Sequence, residues 1–458
     1  MERDLSLCER QKELDVSLSV DSKIIKKINS LHNTDKEYWS FSRRSKRTHC
    51  HGFIKYPAMM VPEMQGELID IFLNHQSKIK SIFDPFVGSG TTMGEAMMRG
   101  LNFQGVDINP LAILACETKS DAFYISSLKH KILELNNRLQ KDTLDSIEVN
   151  FPKIEKWFIP RVQIELSKIR RAIMAEPSKW ARRFFWVAFS DTVRGCCNSR
   201  SSTYKLHMKP QDEIDEVGSC LEIFKNKIQF NFELKKEQMD LLAEQGLLSG
   251  STLLSNINLS ISDIQALPKK SEHNLHDMLI TSPPYGDNST TVPYGQFSYL
   301  PLMWIDTADL RNKVPSKLLS NASAIDRASL GGSHAKKVEG IDQLRCMSQS
   351  FSTSLDQLLK YENSGPVRLS SFIKDLNNSL DNMLFRIKPK GYLIWTLGNR
   401  HISGQKIPLN NILRELLEAR GCEFLIEIDR NIPHKRMANR NSRSQTMTEE
   451  QVLIMKKG

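Results

Sequence analysis

At 458 residues the chain is too long for one minimal domain and long enough for a catalytic domain that carries an insertion. Hydrophobic residues at 40% against 25% charged exclude global disorder, and no apolar run is long enough to cross a bilayer. A formal net charge of +10 favours a polyanionic partner, whether DNA, RNA or an acidic membrane surface.

Residues 1–50 read as a polar N-terminal extension, solvated over its first twenty residues. Those twenty lack the basic start and apolar core of a secretion signal, so a cytoplasmic protein is the default. Arg43, Arg44, Lys46 and Arg47 follow the aromatics Tyr38, Trp39 and Phe41, a mixture that suits packing or nucleic-acid contact. After Pro62, the spacing of Met64, Leu68, Ile69 and Phe72 predicts a core-facing helix. Ser81-Ile82-Phe83 predicts a short buried strand that runs into DPFVGSGTT, and Met93, Ala96 and Met97 begin a helix closed by Gly100. Phe103 to Val106 is a second strand, ending at Asp107. Strand, glycine loop, helix, strand and acid in that order are the first half of a doubly wound α/β sheet.

From 118 to 250 the periodicity is mainly helical. Thirteen Lys/Arg stand against four Asp/Glu between Lys153 and Lys209, among Trp157, Phe158, Trp180, Phe184, Phe185, Trp186 and Tyr204. Solvated faces of a helical subdomain or a nucleic-acid surface fit this equally. Sheet signals resume at Ile257–Ile261, which leads to Asp263, and at Asp277–Thr281, which leads to SPPY. Residues 306–365 are rich in Ser, Asn and Gly and predict a long mobile loop or lid. Phe372, Leu376, Leu380, Met383, Leu384 and Ile387 mark a helix, followed by a strand at Tyr392–Leu397. Phe424–Ile428 and Val452–Met455 flank a basic loop and predict a terminal antiparallel pair. The expected division is an extension over 1–50, a catalytic domain over 51–117 and 251–458, and a helical basic insertion over 118–250.

Two motifs carry chemistry. Gly88-Ser89-Gly90 lets backbone approach a ligand, and Asp107, nineteen residues after Gly88, ends the next strand where a carboxylate reaches ribose hydroxyls. Met93 stands where GxGxxG needs its third glycine, and no Gly-Lys-Ser/Thr follows, so a P-loop is excluded. The second motif is Ser282-Pro283-Pro284-Tyr285, a stiff turn at the carboxyl end of a buried strand. It presents a hydroxyl, backbone carbonyls and an aromatic face, a set suited to a flipped-out base. The eight cysteines form no CxxC pair, so no metal is expected, and none follows a proline, the context of a thiolate for carbon-5 methylation.

FDPFVGSGTT, GVDINP and TSPPY together resemble the amino-methyltransferases of DNA, which methylate N4 of cytosine or N6 of adenine. KYPAMM, SDIQAL and RIKPKGYLIW resemble flanking segments of that family. The resemblance implies a Rossmann-like sheet, mostly parallel with an antiparallel C-terminal pair, and S-adenosylmethionine as cofactor. It implies that Asp84, Pro85, Phe86, Gly88, Ser89, Gly90, Thr91 and Thr92 wrap the methionine part. Asp107 with Ile108 would hold the ribose, Asp263 with Ile264 would flank the adenine, and Tyr56 and Pro57 would close the pocket. Ser282, Pro283, Pro284 and Tyr285 would grip the base, and Ser at the first place resembles the cytosine-N4 enzymes. Double-stranded DNA is the implied partner, and a cognate restriction endonuclease the implied companion. Arg161, Arg170, Arg171, Arg182, Arg183, Lys435 and Arg436 are candidate DNA contacts. Some 150 residues between Asp107 and Asp263 depart from the common layout. Competing readings are an adenine-N6 enzyme, a transfer-RNA guanine methyltransferase, an inactive DNA-binding relative and a nicotinamide-dependent oxidoreductase.

Overall fold

Apolar segments whose side chains alternate between two faces build the centre of the molecule. The computed structural model describes residues 18–42, 47–268, 275–288, 290–310, 313–332, 339–361, 364–432 and 448–458. Strands β1 (Ser81–Asp84), β2 (Asn102–Asp107), β3 (Ile257–Ile261), β4 (His276–Thr281), β5 (Ile387–Leu397), β6 (Glu423–Asn431) and β7 (Glu449–Lys456) form one sheet in the order β6-β7-β5-β4-β1-β2-β3. The five from β5 to β3 pair in parallel, with Ile82 opposite both Phe103 and Met278. β7 runs antiparallel between β5 and β6, as the terminal apolar runs predict. Ile82, Met278, Ile280, Ile394 and Ile454 point into one core, while Phe83, Leu279, Leu393, Trp395 and Leu453 point into another. Both faces are therefore covered, as a parallel sheet requires.

Helices α1 (Val20–Thr34), α2 (Pro62–His75) and α3 (Thr91–Met97) pack on the first face. Pro62 starts α2, and Met64, Leu68, Ile69 and Phe72 are buried as their spacing predicts. The extension is less separate than its polarity suggests. Ile24 and Ile28 of α1 and Trp39 join the sheet's core, and Tyr392 donates its hydroxyl to Asp21 at 2.8 Å. Trp39 thus packs; Arg43, Arg44 and Lys46 lie outside the described residues.

The next helix, α4 (Pro110–Ser120), has two apolar sides. Ile113 and Cys116 face the sheet, whereas Leu111, Leu114 and Ala115 face α5 (Ile125–Lys141), α6 (Pro160–Met174), α7 (Lys179–Cys196), α8 (Cys220–Glu244) and α9 (Tyr294–Trp304). Phe158, Phe184, Phe185 and Trp186 are fully buried there. At about 1.5–3 kcal/mol for each large apolar side chain removed from water, these aromatics are the reason the insertion folds. The mixture of aromatic and basic residues separates into an inside and an outside.

The opposite face of the sheet is covered by α10 (Gln349–Leu359), α11 (Gly365–Phe385) and α12 (Leu409–Glu418). Much of 306–365, expected as a mobile loop, is helical instead. Ser348 caps α10 by accepting the Phe351 N–H at 3.0 Å, and Phe351, Leu355 and Leu358 are buried. Local capping outweighs a composition that reads as coil. Ile387, expected at a helix end, begins β5, which bulges through Lys390 at φ 64°. Among the described residues no helix is long and apolar enough to cross a membrane.

Candidate active site

At the end of β1 the buried Asp84 carboxylate accepts the Phe86 N–H at 3.0 Å and the Thr281 hydroxyl at 2.6 Å, tying β1 to β4. Burial pushes its carboxyl up to about 7. The chain then turns through Gly88 at φ 50° and Gly90 at φ 76°, left-handed conformations that favour glycine. A Cβ on Gly90 would also lie 2.8 Å from the Cys116 sulfur, so the loop could not rest on α4. The Gly88 N–H is held by one oxygen of Asp107 at 2.9 Å, and the other oxygen accepts the Asn109 N–H at 2.8 Å. Burial, partly offset by these backbone bonds, raises the Asp107 carboxyl to about 6. Asn109 in turn donates to the Tyr56 hydroxyl at 2.9 Å and the Ser298 hydroxyl at 2.7 Å. Tyr56 stacks on Tyr294 with ring centroids 5.8 Å apart.

Gly88, Asp107, Asn109, Tyr56 and Tyr294 border a cavity at the carboxyl ends of β1, β2 and β4, about 850 Å³ with the open solvent at its mouth included. Eleven of the fourteen residues expected around the cofactor line it: Tyr56, Pro57, Pro85, Phe86, Gly88, Ser89, Thr91, Asp107, Ile108, Asp263 and Ile264. Asp84, Gly90 and Thr92 stand behind the wall and shape it. The donor set suits S-adenosylmethionine. A carboxylate sits at a strand end for a ribose diol, with an apolar wall from Phe86 and Ile264 for a purine. Asn288 adds a buried Oδ1 that has no partner among the described residues. Asn109, Asn288, Tyr294, Ile325, Ser329 and Leu330 belong to the wall or its supports and were missed from the sequence. Asn109 lies within the recognised GVDINP, a signal that was available; Tyr294, nine residues after Tyr285, and Ile325 to Leu330 carry none.

The tetrapeptide expected to grip the base divides. Ser282 and Pro284 line the cavity, while Pro283 is buried and Tyr285 lines a separate small pocket with Phe372, Ile402 and Leu409. The Tyr285 hydroxyl lies 3.1 Å from Ser282 Oγ and donates to Glu450 at 3.1 Å, which draws the ring away from the cavity. Tyr56, Phe86 and Tyr294 supply the aromatic wall of the cavity instead.

The insertion's arginines brace the fold. Arg171 bonds Asp142 and Glu148, Arg182 bonds Asp309, and Arg183 pairs with Glu117 and Asp121. Arg170 donates to the Trp304 carbonyl at 3.2 Å, and the more exposed Arg161 pairs with Glu165 at 2.8 Å. Lys435 and Arg436 lie outside the described residues.

Comparison with known proteins agrees with this geometry. The profile described as DNA methylase, of the N6/N4 type, matches residues 10–117. The type II methyltransferase M.MvaI of Kocuria varians is 30% identical over 456 residues, which cover 95% of this chain and 97% of the relative. M.MjaII of Methanocaldococcus jannaschii is 33% identical over 22% of this chain and 18% of its own length. M.BsoBI of Geobacillus stearothermophilus is 32% identical over 31% and 25% respectively. The first likeness runs through the insertion as well as the sheet. The chain belongs to the amino-methyltransferases of DNA, enzymes that take their methyl group from S-adenosylmethionine.

Proposed function

We propose that the enzyme methylates N4 of cytosine in double-stranded DNA at a specific site, as the modifying partner of a restriction endonuclease. The observation that carries this reading is the Ser282 hydroxyl, a neutral group lining the same cavity as Asp107 and Gly88. The adenine enzymes usually place an acidic or amide residue there. When bound, S-adenosylmethionine would supply an electrophilic methyl group: the exocyclic nitrogen takes it as the carbon–sulfur bond breaks, S-adenosylhomocysteine leaves, and the surplus proton on nitrogen passes to water, with no covalent enzyme intermediate.

An exocyclic amine conjugated to its ring is a poor nucleophile. Hydrogen bonds from its N–H groups to acceptors at the turn, with Ser282 Oγ the one that lines the cavity, would favour a tetrahedral nitrogen with an available lone pair. Asp107, Gly88 and Asp263 would hold the cofactor, Ile264 and Phe86 offer apolar surface for its purine, and Tyr56 with Tyr294 narrows the mouth. Much of the rate comes from holding two ligands at reacting distance. DNA incubated with enzyme and tritiated cofactor, digested to nucleosides and analysed by mass spectrometry, is expected to yield N4-methylcytosine. N6-methyladenine alone would overturn the base assignment. Transfer to transfer RNA and not to DNA would overturn the substrate class.

A further inference from the structure

Four side chains make an unbroken hydrogen-bonded line from the cavity to the antiparallel edge of the sheet. Ser282 Oγ lies 3.1 Å from the Tyr285 hydroxyl, Tyr285 lies 3.1 Å from Glu450 Oε1, and Glu450 Oε2 lies 2.7 Å from Arg430 Nη1. Arg430 and Glu450 stand directly opposite each other across β6 and β7, so sheet register sets the far end. The Arg430 side chain is 3% exposed and that of Glu450 17%.

The direction of each bond follows from counting protons. A guanidinium only donates and a carboxylate only accepts. Tyr285 must therefore give its one proton to Glu450; burial, with the charge of Glu450, raises the phenol well above its ordinary value and keeps that proton in place. Towards Ser282 the phenol has only lone pairs. The Ser282 proton is then committed to Tyr285, and Ser282 turns lone pairs alone to the cavity.

We propose that Tyr285 and Glu450 are positioning residues that fix the Ser282 hydroxyl as an acceptor, so that the site takes a base edge bearing an amino group and rejects one bearing a keto oxygen. The proposal rests on Ser282 as the group that meets the base. A free serine hydroxyl rotates and serves either edge. A locked one meets a keto oxygen acceptor to acceptor and leaves both unpaired. Cytosine is thereby separated from uracil or thymine without any charged residue at the first place of the turn. The account also explains why the Tyr285 ring packs beside Phe372 and away from the cavity wall.

The test uses the full-length enzyme and its methylated site, identified by sequencing the modified DNA. Glu450→Gln offers Tyr285 an amide N–H once Arg430 has taken the amide oxygen, which reverses the whole line and turns the Ser282 proton into the cavity. Tyr285→Phe keeps the ring and removes only the oxygen. Calorimetric S-adenosylmethionine binding should be unchanged in both, while kcat falls roughly 10- to 100-fold, the effect of one lost or misdirected hydrogen bond. The decisive measurement is competition between duplexes that carry the amino base or its keto counterpart, uracil for cytosine or hypoxanthine for adenine. Wild type should prefer the amino base by roughly tenfold or more, and both variants should lose that preference. Variants that match wild type in turnover, or keep the full preference, overturn the relay while the proposed function stands. Loss of cofactor binding in both variants assigns the line a purely structural role and overturns it too. A wild type that methylates no DNA base overturns the proposed function, and the relay with it.

Discussion

Asp107 does two jobs with one carboxylate. It holds the Gly88 and Asn109 N–H groups, and it faces the cavity where a ribose is proposed to sit. Only the ionised form accepts all of these bonds. Its carboxyl stands at about 6 against an ordinary 3.8, so the fold gains stability from protonation. That gain is fully present below 3.8 and is lost as pH rises through about 6. Cofactor affinity runs the other way. Calorimetry is expected to show steady affinity well above the Asp107 value and a decline as pH falls through about 6. Asp107→Asn should flatten that dependence, and Asp107→Ala should weaken binding by about 1.5–3 kcal/mol or more, the range for a bond to a charged group. A profile unchanged by Asp107→Asn would remove this carboxylate from the cofactor. The acid at the strand end was legible because its spacing from Gly88 is a property of the chain. Its hold on the loop was not, since the partner is a backbone N–H. Tyr285 shows the same limit: its motif was legible, but its direction is set by Glu450, 165 residues later.

Among the elements, helices were read best where one side alone is apolar. The buried positions of α2 and α11 follow their spacing, because a period of 3.6 residues marks the inner stripe. The arginines of α6 and α7 were not legible in this way, because a basic residue on the outer side of a helix looks the same whether it meets DNA or a carboxylate. Arg182 is fixed by Asp309, whose carboxylate also accepts the Trp186 indole N–H at 2.7 Å. Asp309 is 4% exposed at its side chain and Arg182 is 19% exposed. Removing Arg182 leaves an uncompensated acid, so Arg182→Ala should cost about 3 kcal/mol, the lower end for a broken buried pair because Arg182 is partly wet. Arg161→Ala breaks a surface pair one helical turn apart and a bond to the Val217 carbonyl, and should cost only about 1 kcal/mol. Urea unfolding measures both. If Arg182→Ala instead keeps its stability and flattens the salt dependence of DNA binding, the helix meets phosphate after all.

Across the whole molecule, β1 lies between β2 on one side and β4 on the other, and the cavity opens at their carboxyl ends, where an open α/β sheet binds its ligands. The long gap between β2 and β3 was expected to hold a helical insertion, and the helices found there share a core with α4 and α9. α4 presents Ile113 to the sheet and Leu111, Leu114 and Ala115 to the insertion. α9, which carries Tyr294 of the cavity wall, packs on α7 through Leu300, Leu302 and Trp304 in the same cluster. Lys235 of α8 is fully buried and donates to the carbonyls of Thr118 and Lys119 at 3.4 and 3.2 Å, satisfying the end of α4. Burial draws its ammonium down to about 8. Without the insertion those carbonyls and the apolar sides of α4 and α9 would face water, and the two helices that aim Asn109 and Tyr294 would lose the packing that seats them. The intact protein is therefore expected to unfold in one calorimetric transition. Replacing residues 122–246 with a short flexible linker should abolish S-adenosylmethionine binding along with solubility. Two resolved transitions, or a soluble deletion that still binds the cofactor, would show the insertion to be an independent domain.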